Sequence, residues 1–292
     1  MRIHVDGATL RTADSYYNGD IIVDNTTDDA HDASYYVDAT MNGGLWLVNE
    51  SGYPQWQSYA RNQTTVYNEH FIEFNASWTD EALYGFIFSI NQTGNWENSS
   101  LNSFSGTYNV SENTTQITAA GGTNVSWRIW ARDISGNWNA TPIDSFIVQP
   151  KSVAIDLSPA LQDKISWNIT SLPAVNISAL ENNGAGTTEY WVNVTCAGTL
   201  VDVYMKATGN LVNGSNFIAI PNETFSYSTT DNTVPGTPTS ITTSYSDNQI
   251  GDGLNNGDFS WIKFFLSVPG NQAPGSYKNN VTFTAVEYGD AP

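Results

Sequence analysis

Three histidines, one cysteine and a few crowded carboxylates are all that this 292-residue chain offers to catalysis. His4, His31 and His70 are scattered without ligand spacing, and there is no nucleophile elbow, zinc-protease helix, phosphate-binding loop, paired-cysteine or dinucleotide motif. Asp80 and Glu81 stand side by side after "SWT", where a solvated turn is the plainer reading than an acid–base pair. Cys196, in "YWVNVTCAG", has no partner for an intrachain disulfide and reads as a small buried hydrophobe. No enzyme is expected, and no cofactor is required. Metal binding is the one ligand chemistry that the carboxylates suggest. "DNTTDDAHD" at 24–32 and "SDNQIGDGLNNGD" at 246–258 place oxygen ligands and glycines in loops, as Ca²⁺ sites do. In the second, Asp247, Asp252, Asn255 and Asp258 are the candidate calcium ligands. Neither stretch keeps EF-hand spacing, so a solvated turn stands beside each metal reading.

Asparagine carries a second kind of chemistry. Asn-X-Ser/Thr, the acceptor sequence for N-linked sugar, starts at Asn25, Asn49, Asn62, Asn75, Asn91, Asn98, Asn109, Asn113, Asn124, Asn139, Asn168, Asn176, Asn193, Asn213, Asn222 and Asn280. About a fifth of the chain is Ser or Thr, so chance would supply roughly six. Half of these sequons have an apolar middle residue. On a strand, the Asn and the hydroxyl then share the solvent face while the middle residue points inward. So Phe74, Ala76 and Trp78 are expected inside around Asn75, and Val125, Trp127 and Ile129 around Asn124. Tyr190, Val192, Val194 and Cys196 repeat the pattern around Asn193, as do Val281, Phe283 and Ala285 after Asn280. A plain polar strand face is the competing reading. Covalent N-glycans are the favoured one, and they require export.

The elements behind these residues are strands. Alternating segments recur every 8–12 residues between Gly, Asn, Asp and Pro, and helical periodicity is absent. Three segments are expected: an Asp-rich stretch at 1–62, a β-sandwich at 63–149 and a second at 150–292, closed by a hairpin over "FSWIKFFLSV…NNVTFTAVEY". "TGNWENSSLNSF" at 93–104 and "SGNWNATPIDSF" at 135–146 are near-copies, each following an alternating strand. They read as two equivalent hairpins of one sandwich, each with a Gly turn, a Trp and a return strand ending in Ser-Phe. Among the ten tryptophans, Trp78 and Trp127 are expected on the core side and Trp130 and Trp191 on outer faces, with Trp96 and Trp138 after turns. Outer aromatics cover a sheet, form a subunit contact or stack on sugars.

Composition narrows the partners. The formal net charge of −19 argues against nucleic acid and against anionic membrane surfaces. Charged residues are only 13% of the chain, about half of the ~25% usual for soluble domains. No apolar run reaches the ~20 residues of a membrane helix. "MRIHVDGATL" has no apolar signal core, so an export signal is expected to have been removed.

"FNASWTDEALYGFIFSINQTGNWENSS" with "NVSWRIWARDISGNWNATPIDSFIV" resembles the Ig-like domains of archaeal cell-surface glycoproteins. "ISWNITSLP", "NNGAGTTEYWVNV", "DVYMKATGNL" and "FFLSVPGNQAPGSYKNNVTFTAV" resemble a second such domain. The resemblance implies an all-β protein of tandem Ig-like, Greek-key β-sandwiches with an N-terminal strand-containing segment. It further implies an extracellular, N-glycosylated structural subunit of a filament, pilus-like fibre or surface layer, its main partner being itself. A cell-surface adhesin or glycan-binding module is the alternative, with other surface proteins or glycans as partners. Ile3, Val5, Ile21, Val23, Tyr35 and Val37 are too few for a core of their own. They are expected to extend the first sandwich or to be donated to the next subunit's open edge.

Overall fold

The computed structural model describes residues 3–4, 34–38, 46–50, 52–183, 188–230, 232 and 237–292, the first three stretches as backbone only. Strand accounts for 55% and helix for 6%, so the chain is all-β. It divides into two compact units, Met1–Gln149 and Pro150–Pro292.

The first unit opens with β1 (Ile3–His4), β2 (Ser34–Asp38) and β3 (Trp46–Glu50), an antiparallel sheet of their own. Among the described residues the N-terminal pieces pair with one another; Val5, Ile21 and Val23 lie outside the described residues. The main sheet contains β4 (Gln55–Arg61), β5 (Val66–Tyr67), β6 (Phe71–Ile90), β7 (Glu97–Asn98), β8 (Asn102–Gln116), β9 (Asn124–Asp133), β10 (Trp138–Ala140) and β11 (Asp144–Gln149). β4 falls inside the stretch that the sequence set apart as 1–62, because it lacks an alternating pattern that would mark it as a sandwich strand.

β6 organises the unit. Its 20 residues were expected as two strands joined by a turn at Asp80-Glu81; the chain instead continues as one strand with register shifts between Thr79 and Gly85. β8 pairs along both halves, β4 extends the first half and β9 the second. Phe74 and Phe88 lie fourteen positions apart, roughly 46 Å along a straight strand. Their ring centroids are 4.9 Å apart, and Trp127 lies 4.8 Å from Phe74. The ribbon must therefore bend until its halves face each other, which makes the sandwich. Phe74, Ala76, Trp78, Val125, Trp127 and Ile129 are all fully buried, as the alternation requires.

The second unit places β12 (Ser152–Leu157), β13 (Ala174–Ser178), β14 (Trp191–Ala197), β18 (Glu223–Ser228), β19 (Thr239–Ser240) and β21 (Phe259–Val268) in one sheet. β15 (Val201–Ala207), β20 (Gln249–Leu254) and β22 (Val281–Glu287) form another, and β16 (Leu211–Asn213) with β17 (Asn216–Ile218) a small hairpin. Tyr190, Val192 and Val194 pack with Val203, Met205, Ile250, Ile262 and Phe264 between the two larger sheets. The expected closing hairpin is corrected here: β21 pairs with β14, β13 and β18, while β22 pairs with β15 in the opposite sheet. The intervening stretch carries the chain from one sheet to the other, as a sandwich needs.

Candidate functional site

The two near-copies occupy equivalent places. The second half of β6 and β9 are neighbours, and each is followed by one copy that folds back on it, as β7 on β6 and as β10 on β9. In each, the repeated glycine takes a left-handed conformation (φ 89° at Gly94, 95° at Gly136). In each, it donates its amide to the residue three before, Asn91 at 2.9 Å and Asp133 at 3.3 Å. The closing phenylalanines, Phe104 and Phe146, are both buried in the core. The repeated tryptophans, Trp96 and Trp138, are not; they remain 43% and 37% exposed.

Between these tryptophans lies an alternation of cations and rings. Arg128, Trp130 and Arg132 are at i, i+2 and i+4 of β9 and share the face opposite the core. The Arg128 guanidinium lies 4.0 Å from the Trp130 ring centroid and 5.3 Å from that of Trp96. The Arg132 guanidinium lies 5.2 Å from Tyr84 and 5.8 Å from Trp138. All four distances are within cation–π range. Ser89 fixes the middle: it accepts a hydrogen bond from the Trp130 indole at 3.1 Å and donates to Asn98 Oδ1 at 2.6 Å. Tyr84, 47% exposed, completes the face.

Both cations are incompletely satisfied. Each Nε is buried without an acceptor. A donor left so costs about 1–3 kcal/mol. Arg61 meets Asp144 at 3.0 Å, whereas the guanidinium groups of Arg128 and Arg132 have no ion pair and no hydrogen bond among the described residues. Sequence reasoning placed Trp96, Trp130 and Trp138 correctly but missed the arginines. The signal was present in "RIWAR", where strand alternation puts both cations on the Trp130 face.

The other sequence candidates do not assemble. Asp247 accepts from the Thr242 hydroxyl at 3.3 Å, and Asp252 from the Gln249 amide at 3.3 Å. Asp258 accepts from the Asn255 backbone at 2.8 Å and its side chain at 3.3 Å. Each carboxylate thus serves its own turn, and no three acidic, His or Cys side chains form a metal-holding group among the described residues. The 24–32 stretch, with His31, lies outside them, and His4 is described only as backbone. His70 rests against Tyr67. Asp80 accepts from the Ala82 amide at 2.9 Å, where the register of β6 shifts. Burial, with Asp258 nearby, pushes the Cys196 thiol pKa up, away from the reactive thiolate.

Of the sequons, Asn25 and the side chain of Asn49 lie outside the described residues. Asn62, Asn98, Asn124, Asn168, Asn176 and Asn280 are exposed. Asn75, Asn91, Asn113, Asn213 and Asn222 are half-buried, as are Asn109, Asn139 and Asn193. These last three spend the amide nitrogen that would carry a sugar. It donates to Ser105 O at 3.0 Å, to Pro54 O at 2.7 Å, and to Gly257 O and Asp258 O at 3.1 Å each.

The second unit has a cleft of about 530 Å³ lined by Thr208, Asn210, Val212, Lys278, Asn279 and Asn280. Behind it, Asn279 donates to Glu223 at 2.7 Å. Burial raises the Glu223 pKa, and the Asn279 hydrogen bond offsets part of that rise.

No helix among the described residues is long and apolar enough to cross a membrane. No family model and no curated protein matches the chain. Among solved structures, it is similar to a carbohydrate-binding module of the β-sandwich superfamily, at 9% identity and a TM-score of 0.25, over 81% of this chain and 97% of that one. That likeness is too slight to assign a fold family or a ligand.

Proposed function

We propose that the chain is a non-enzymatic, extracellular carbohydrate-recognition protein, whose first unit binds sugar on the face of Tyr84, Trp96, Trp130 and Trp138. One observation carries this reading: a duplicated turn that buries its phenylalanine on each occasion leaves its tryptophan in solvent, beside guanidinium groups that have no ion pair among the described residues. Sugar rings stack on exposed aromatic faces while their hydroxyls accept from neighbouring side-chain donors. This is the pairing of apolar surface and a few placed polar groups that small-ligand sites use. Affinity electrophoresis on a panel of neutral and acidic polysaccharides tests it. Trp96→Ala and Trp138→Ala should each weaken retention about tenfold or more, or about 1.4 kcal/mol. Unchanged thermal unfolding would assign the loss to binding. Retention by no member of the panel would end the reading.

The second reading is a glycosylated structural subunit of an archaeal extracellular assembly. The six exposed sequons favour it, since their side-chain amide nitrogens donate to no acceptor among the described residues. So does β13, an edge strand whose Val175 is 74% exposed. Intact mass of native material above the 31.9 kDa polypeptide, together with fibres or lattices in negative stain, would favour it over sugar recognition.

A further inference from the structure

We propose that the saccharide taken by this face is acidic, its carboxylate or sulfate groups meeting Arg128 and Arg132; the inference rests on the sugar-binding reading above. The protein carries 29 acidic residues against 10 basic ones, so cations without acidic partners are conspicuous. Arg61 shows the ordinary solution in the same unit, an aspartate at 3.0 Å combined with a ring, Phe146, at 5.2 Å. Arg128 and Arg132 have the rings and, among the described residues, lack the acid. Their buried Nε atoms have no acceptor. Their terminal nitrogens have no acceptor among the described residues either, and do not count among the buried unsatisfied atoms.

A guanidinium held over a ring is preorganised. Its planar fork loses little freedom on meeting a carboxylate or sulfate, which it can engage through two parallel N–H donors. Trp96 and Trp138 flank the pair, so an anionic group at either arginine brings its sugar ring beside an exposed indole. Glu97 lies next to Trp96, and its carboxylate accepts the Thr93 hydroxyl at 2.6 Å. With a net charge of −19, the whole molecule repels polyanions at long range. Retention of one would therefore report a local site and not general attraction.

Matched pairs of polysaccharides test the idea on the intact protein by calorimetry. Polygalacturonate is compared with its methyl ester, and dextran sulfate with dextran, so that ring and linkage stay constant while the charge is removed. The expected result is binding about tenfold or more tighter to at least one charged member than to its neutral partner. Preference for polygalacturonate assigns a carboxylate ligand, and preference for dextran sulfate a sulfated one. Arg128→Gln and Arg132→Gln should erase the preference, and Arg128→Lys should restore part of it. Equal binding within both pairs, with the Gln variants unaltered, would overturn the inference and leave sugar recognition standing. Binding to none of the four, nor to the wider panel, would overturn both. The pairwise comparison on unmodified protein keeps the test decisive even if a variant fails to fold.

Discussion

Both units carry aromatic rings on the outer side of a sheet, and they hold them differently. In the second, Trp191, Phe259 and Trp261 meet ring on ring, edge-on at 5.3 Å and stacked at 5.5 Å, all half-buried. No cation stacks on them among the described residues. In the first, rings alternate with guanidinium groups, and the outer rings stay 37–47% exposed. A ring-on-ring cluster satisfies itself: covering the rings is its whole return. A ring-on-cation ladder leaves apolar ring surface in solvent beside cations, which is the arrangement the proposed saccharide site would use.

Three substitutions sharpen that contrast. The largest effect is expected beneath the ladder. Trp127 is fully buried against Phe74, Phe88 and Tyr59. Trp127→Ala should cost about 3–5 kcal/mol in denaturant unfolding of the first unit and remove saccharide retention with the fold. Trp261→Ala comes next, with an expected cost of about 1–3 kcal/mol and no change in retention by any polysaccharide. A loss of retention there would erase the distinction between the two faces.

The smallest effect concerns the second unit's own buried charge. The folded-state pKa of Glu223 is raised, so the folded state keeps that proton to higher pH than the unfolded chain does. Its contribution to stability is therefore full below the ordinary carboxylate pKa and declines as pH rises through the raised value. Glu223→Gln should flatten this decline, which melting temperatures from about pH 4 to about pH 8 would reveal. A variant with the wild-type slope would remove Glu223 from the account.

Much of this was legible in the sequence, because strand alternation is a strong signal when one face is buried. Phe74, Ala76 and Trp78 announced their burial, and the near-copies announced twin turns on neighbouring strands. Pairing partners were harder. Nothing local in "SVPGNQAPGSYKNN" reveals that β22 joins the sheet opposite β21, since a sheet change and a loose hairpin use the same Pro and Gly. The bend in β6 hid behind an acidic pair that reads as a turn. The arginines hid because a charge on a strand's polar face ordinarily means solvent. The calcium candidates show a related limit of the pattern: Asp and Asn satisfy turn backbones so well that crowding alone says little about ligands.

The shared strand β6 also sets an order of events during synthesis. Its partners extend from Gln55 to Asp133, so more than sixty residues must emerge before both of its halves can be covered. Until then a 20-residue strand bearing Phe74, Trp78, Phe86 and Phe88 has no lasting place to bury them. Non-local pairing of this sort folds slowly, in milliseconds to seconds, and the waiting strand is open to wrong partners. The polar positions along its first half, Glu73, Asn75 and Ser77, interrupt that apolar stretch at every second residue. They keep the nascent strand soluble through the interval in which its fold cannot yet exist.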